Sequence, residues 1–397
     1  MYTSPKKGLR IIERNPFSLL SDIIRDHREL KEDLPPVIKR GKGPYVYDYD
    51  ENRFLDFFLA QGSLTLGHAP PGITRVLKSW LGRGYSAGYQ AASHALLAKK
   101  LFALILDGTI PSWKGYRWLF YDSPYEAFHS LYSLLELCGY TDQCAYLNDD
   151  RGRSKLTPGW PERIPPLSGF LKNRDSKDLD PKDFTSKDLD SVSCVILRPV
   201  NESKTIDTIK ELAKRGVVII SDESGIEGYL HLRSAKELYD SIQVRIFGNW
   251  LASGYSFGCI LAVNSLLSRV KVGMNRQIFE RLLPYTGFPP LYKIKAAIAS
   301  VIHMKEFGGI EGLIEKNRLF FSLLGESHFL QRGGLIYMKG TEKLGSNYRE
   351  LYRNLLREGI YFPFSPQEPV CTSFAHNEIL LKKSAPKINS LFNSFYR

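Results

Sequence analysis

The chain has 397 residues, with 54 Lys+Arg against 42 Asp+Glu and a formal net charge of +12. Hydrophobic residues make up 43% and charged residues 24%, a globular balance that excludes a disordered, collagen-like or disulfide-stapled chain. No apolar run approaches the ~18–20 residues of a bilayer-spanning helix, and the N-terminal stretch lacks the apolar core of a secretory signal.

Residues 16–34 carry helical apolar spacing, with Pro35 and Pro36 as a stop. Val46–Leu59 alternates around Asp48–Asn52, which predicts a β-hairpin. Residues 70–106 predict two helices broken at Gly82–Gly88. From residue 116, β-rich runs at Arg117–Tyr121, Ser193–Leu197, Val217–Ser221 and Val244–Phe247 alternate with helical stretches, including Ala127–Cys138 and Thr205–Arg215. That alternation predicts a mainly parallel sheet with crossover helices. Residues 150–191, rich in Pro, Lys, Asp and Ser, predict an exposed loop-dominated excursion. Residues 291–325 predict a long helical segment interrupted near Gly308–Gly309. The tail then reads as strand (Gly334–Lys339), helix (Tyr348–Glu358), extended run (Ile360–Pro363) and final helix (Glu378–Phe395), a second α+β domain.

The five cysteines (Cys138, Cys144, Cys194, Cys259, Cys371) form no CxxC pair and no metal-ligand spacing with histidine. They predict free buried thiols, a cytoplasmic setting and no metal site. The basic clusters are short and interspersed with acids, and no nucleic-acid motif is present. The basic surface suits anionic ligands or solubility.

Five segments carry a family resemblance in the same order along the chain. Arg40–Asp48 is similar to the opening strand of class-III aminotransferases. Leu66-Gly67-His68-Ala69-Pro70-Pro71 matches a Leu-Gly-His-x-x-Pro element, and Asp122-Ser123-Pro124-Tyr125-Glu126-Ala127 stands where that family has Asn-Ser-Gly-Thr-Glu-Ala. Ile219–Glu223 matches a strand ending in Asp-Glu. Ser365–Glu368 and Ser373–Glu378 resemble the C-terminal domain of glutamate-1-semialdehyde aminomutase. The resemblance implies an α/β fold of fold type I, the pyridoxal-phosphate transferase fold. It implies a 1–64 segment packing on a small domain, a large mainly parallel sheet domain over 65–285 and a small α+β domain over 286–397. It also implies a homodimer.

Such chemistry requires a lysine for the Schiff base, a carboxylate at the ring nitrogen, and backbone N–H groups for the phosphate. The resemblance places Asp222 at the ring nitrogen. It places Asn249, 27 residues later, where the family has its lysine, inside a segment whose Gly248, Gly254 and Gly258 keep the register. An amide nitrogen is not nucleophilic and forms no imine, and no lysine lies between Lys236 and Lys271.

Other cofactor positions are altered too. In the phosphate turn, Ser123 is followed by Pro124, which removes an N–H, and by Tyr125, which is far bulkier than threonine. Tyr125 is expected to fill part of the former phosphate volume. The Glu-Pro strand end has become Arg198–Pro199, and the segment reaching the partner's phosphate has become Pro284–Pro289, with Thr286 in it. Glu126 and Glu368 map to the cleft. For Glu126 a helix-start role is the alternative, for Glu368 a solvated loop, and Glu223 is expected to pair with an arginine.

Three functions stay open. In the first, a degenerate aminomutase-like protein has no covalently bound cofactor and acts by binding an anionic small molecule or a partner protein, with pyridoxal or pyridoxamine phosphate held non-covalently through Asp222. In the second, a lysine-independent enzyme such as a pyridoxamine-phosphate-dependent dehydratase uses His129 or His231 for protons. In the third, a conventional aminotransferase or aminomutase has its lysine elsewhere.

Overall fold

The computed structural model describes residues 35–84, 91–106, 115–137, 140, 144–147, 192–197, 203–267, 289–340 and 348–395. The expected helix over 16–34 and the excursion over 150–191 lie outside the described residues.

The expected hairpin is present within a four-stranded sheet. β1 (Ile38–Lys42), β2 (Tyr45–Asp48) and β3 (Arg53–Asp56) run antiparallel in sequence. The β2–β3 turn closes on Asp48, whose Oδ1 accepts the N–H groups of Asp50 at 3.0 Å and Asn52 at 2.8 Å. This side-chain capture is why Asx residues favour turns.

After β3 the backbone is left-handed at four consecutive residues, Leu59, Ala60, Gln61 and Gly62, with φ of 50, 50, 57 and 76°. The conformation costs about 1–2 kcal/mol per non-glycine residue. Asp56 braces its entry, its Oδ1 accepting the N–H groups of Phe58 at 2.8 Å and Leu59 at 2.9 Å.

Helices α1 (Pro71–Leu81) and α2 (Ala92–Leu101) follow as expected. The large sheet starts with β4 (Tyr116–Tyr121) and continues through α3 (Pro124–Leu137), β5 (Cys144–Leu147), β6 (Cys194–Leu197), α4 (Ser203–Lys214), β7 (Val218–Glu223), α5 (Ile226–Ser234), β8 (Val244–Phe247) and β9 (Gly258–Val263). Its spatial order is β4-β9-β8-β7-β6-β5. β5 to β8 pair in parallel, and β9 is antiparallel to both β8 and β4. β4 therefore shares the direction of β5 to β8, and β9 is the single reversed strand among the six. The four β-rich runs of the sequence each form a strand of this sheet. β5 and β9 carry no comparable signal: β9 reads Gly-Cys-Ile-Leu-Ala-Val and is buried over its first five residues, so it shows no alternation.

The expected interruption of 291–325 is real. α6 (Leu291–Glu306) and α7 (Gly309–Leu324) meet at Gly308 and Gly309, whose φ values of 90 and 65° are easy for glycine. α6 buries Ile294, Ala297 and Val301 against Ile73 and Leu77 of α1 and Leu97 and Leu101 of α2.

A hairpin of β10 (Phe329–Arg332) and β11 (Leu335–Met338) precedes α8 (Tyr348–Arg357), β12 (Ile360–Tyr361) and α9 (Glu378–Phe395). β12 pairs in parallel with β3, joining the two ends of the chain in one sheet. The Phe57 ring stacks on Phe320 at 4.6 Å and meets Phe362 at 5.8 Å. His376 is buried beside Phe57, with ring centroids 5.1 Å apart.

Candidate functional site

The carboxyl ends of β4, β7 and β8 lie on one edge of the sheet, where open α/β folds build their sites. Two glycines let these ends approach. A Cβ on Gly248 would lie 2.4 Å from the Ser224 carbonyl oxygen, and one on Gly258 would lie 2.3 Å from that of Ser123. The glycine register in the 248–258 segment therefore has a steric cause.

Asp222 is buried near the end of β7, at 5% exposure. Its Oδ1 accepts both the N–H of Ser224 at 3.1 Å and the Ser224 hydroxyl at 2.7 Å. Its Oδ2 is buried and has no partner among the described residues. An unsatisfied buried acceptor costs about 1–3 kcal/mol. The donor set thus leaves one carboxylate oxygen free for an incoming N–H, which fits a protonated ring nitrogen.

Glu223 faces a different environment. It is fully buried, and Arg245 of β8 grips it bidentately, Nε to Oε1 and Nη2 to Oε2, each at 2.6 Å. Burial pushes the Glu223 carboxyl up, and the guanidinium opposes that shift. With two short charge-assisted contacts, the pair is an ion pair. The sequence expectation of an arginine partner holds. The Trp250 indole N–H donates to the Glu223 carbonyl at 2.9 Å, and its ring lies 4.9 Å from that of Tyr229.

Asn249 opens a short 3-10 turn, Asn249–Ala252. Its side-chain oxygen accepts the N–H of Phe257 at 3.1 Å, bracing the turn. The residue is a structural acceptor here, and neither its chemistry nor its bonding fits a covalent link to a cofactor carbonyl.

The 122–127 turn, expected to cradle a phosphate, caps itself. Ser123 Oγ accepts the N–H of Glu126 at 3.3 Å, while the Glu126 carboxylate accepts the N–H of Asp122 at 2.9 Å. This is close to a capping box, with the Glu126 carboxylate engaged at the helix start. With Pro124 lacking an N–H, the first turn of α3 leaves at most the Tyr125 N–H for an anion. The expectation that the Tyr125 ring fills a buried phosphate volume is overturned, because Tyr125 is 53% exposed. Pro124 is the residue of this turn that packs toward the 248 segment, its Cγ 3.1 Å from where a Gly248 Cβ would sit.

Glu368 accepts the Gln61 side-chain amide at 2.8 Å, linking the C-terminal loop to the left-handed turn. The Leu-Gly-His element is also structural. The His68 imidazole Nε2 lies 2.7 Å from Asp56 Oδ2, and its ring covers Gly41. His129 is exposed on α3, and His231 lies on α5. Thr286, Arg198 and Pro199 lie outside the described residues.

Sequence reasoning missed Lys293. From the first turn of α6 its ammonium reaches Asp122, 2.6 Å from Oδ1 and 3.3 Å from the carbonyl oxygen, and it is 14% exposed. Asp122 also accepts the Ser256 hydroxyl on its carbonyl at 2.7 Å. A partly buried lysine thus stands beside the 122–127 turn. Its separation of 171 residues from Asp122 gave no local signal. Among the described residues no cluster of His, Cys, Asp or Glu is placed to hold a metal ion. No described helix is long and apolar enough to cross a membrane.

No family model matches the chain. It is 24% identical to a glutamate-1-semialdehyde 2,1-aminomutase of Sulfurihydrogenibium sp., over 90% of this chain and 91% of that protein. Among solved structures it superposes on an adenosylmethionine-8-amino-7-oxononanoate aminotransferase of Methanocaldococcus jannaschii with a TM-score of 0.71, at 17% identity, over 97% and 99% of the two chains. An omega-transaminase of Pseudomonas jessenii, in complex with PMP, gives a TM-score of 0.70 at 15% identity, over 96% and 98%.

Proposed function

We propose that this chain, whose fold is the fold-type-I fold of pyridoxal-phosphate-dependent transaminases, is a lysine-less relative of the aminomutases. It holds a pyridoxal- or pyridoxamine-phosphate-type ring without a covalent link and acts through binding. The observation that carries this reading is the buried, unpartnered Asp222 Oδ2, together with an Asn249 whose side-chain oxygen is taken up by the Phe257 N–H. When bound, such a cofactor supplies an electron sink. Asp222 holds the proton at the ring nitrogen, and Ser224 fixes the carboxylate's orientation. Lys293 stands at the proposed phosphate end, ion-paired to Asp122. The functional unit is proposed as a cytoplasmic homodimer, and sedimentation as a monomer at micromolar concentration would remove that part.

The test is fluorescence titration with pyridoxamine phosphate, followed by borohydride treatment of a pyridoxal phosphate mixture. Saturable binding that is lost in Asp222→Ala, with no cofactor mass fixed to any lysine, is the expected result. Absence of saturable binding overturns the reading.

Lys293 favours a second reading, an active aminotransferase or aminomutase whose amine comes from α6 rather than from position 249. Borohydride-fixed cofactor mass mapped to Lys293 would establish it in place of the first.

A further inference from the structure

A cavity of about 370 Å³ lies at the other end of α5 from Asp222, between that helix, α7 and the β10–β11 turn. Its charged lining is three cations, Arg233, Lys236 and Arg318, against one carboxylate, Glu311. One oxygen of the Glu311 carboxylate, Oε1, is already engaged. Arg233 donates to it from Nε at 3.1 Å and from Nη2, and donates from Nη1 to the Tyr229 hydroxyl at 3.3 Å. Arg233 is thereby fixed in place, with its side chain 10% exposed. Lys236 and Arg318 make no ion pair among the described residues. The Gln331 amide nitrogen, also on the wall, is buried without a partner. The charged lining therefore has cations in excess, while Leu230 and Ile314 supply apolar wall.

We propose that this cavity is a second ligand site, which takes a small phosphate-bearing anion. Charge alone draws an anion to a cleft with low-dielectric walls. The planar fork of Arg318 and the unused Gln331 amide N–H match the oxygens of a phosphate group, which accept in several directions. The volume lies within the range of small-molecule pockets, ~300–1,000 Å³. It leaves room beyond the phosphate for a sugar-sized body against Leu230 and Ile314. The site is separate from the Asp222 edge, so it stands or falls independently of the cofactor reading.

The test is titration calorimetry of the full chain with inorganic pyrophosphate, a hexose monophosphate and, as a comparison, citrate. The expected result is 1:1 binding of a phosphate compound that weakens as salt is raised. Binding should weaken at least tenfold in Lys236→Ala/Arg318→Ala, both exposed side chains whose loss leaves the melting temperature unchanged. Stronger binding of the hexose monophosphate than of pyrophosphate supports an organic phosphate; the reverse supports a free inorganic one. Undetectable binding of both phosphates, phosphate binding unchanged in the double variant, or tighter binding of citrate than of either phosphate overturns the proposal.

Discussion

The Asn249 carboxamide oxygen and the Phe257 backbone N–H are joined at 3.1 Å across the glycine-rich turn that follows β8. A lysine at 249 would have no acceptor to offer this N–H, so the residue proposed to end imine chemistry would also be the one that braces this turn. Asn249→Ala and Asn249→Lys should each lose about 1 kcal/mol in urea denaturation, whereas Asn249→Asp keeps the acceptor and most of the stability. If Asn249→Ala proves as stable as the parent, the bond braces nothing.

Gly258 tests the crowding of the strand ends. A Cβ there would lie 2.3 Å from the Ser123 carbonyl oxygen and 2.9 Å from the Pro124 nitrogen, both backbone atoms. Gly258→Ala should cost about 1–3 kcal/mol as an overpacked site, and it should weaken pyridoxamine phosphate binding by displacing the α3 start. Full stability would mean that the turn yields freely.

The Glu223–Arg245 pair is fully internal, so breaking it from one side leaves a buried charge. Arg245→Met should cost about 3–5 kcal/mol, and Glu223→Leu/Arg245→Met should recover most of that loss. Chemical denaturation of the two variants decides it. Equal losses in both would mean that packing rather than charge sets the cost.

His376 gives a pH signature. Burial holds its pKa down to about 4, against an ordinary value of 6.5. The Ser373 N–H donates to Nδ1 at 3.2 Å, which keeps that nitrogen an acceptor and the ring neutral. The unfolded chain binds this proton at a higher pH than the folded one. The stabilisation is therefore full above pH 6.5 and is lost as pH falls from 6.5 towards 4, by on the order of 3 kcal/mol. His376→Gln should flatten stability across that window, relative to the parent. An unchanged slope would place the titrating group elsewhere.

The Asp222 position was legible because a short β run ending in Asp-Glu is a local pattern, and the strand delivers Asp222 to the sheet edge. The glycines at 248 and 258 were legible through the family register, and the structure supplies their cause, since close approach admits no side chain. Tyr125 was misjudged because the direction of a side chain in the first helical turn depends on which neighbour packs inward, and here that neighbour is Pro124. Lys293 and Arg245 were invisible because their partners are contributed by other elements. The strand β9 was missed because a strand covered on both faces shows no alternation.

The reversed strand β9 has a consequence for how the molecule is made. β4 finds its sheet partner in β9, with Tyr116 opposite Val263 and Tyr121 opposite Gly258. During synthesis from the N-terminus, Tyr116–Tyr121 therefore emerge long before the strand that covers their edge. The sheet must wait for β5 to β8 to be made before β9 can close it. Contacts so distant in sequence close late and slowly, and in the interval β4 presents an unpaired edge to other nascent chains. Such a chain should need chaperone protection until residue 263 has left the ribosome, and truncation before Gly258 should give an aggregating product rather than a smaller folded one.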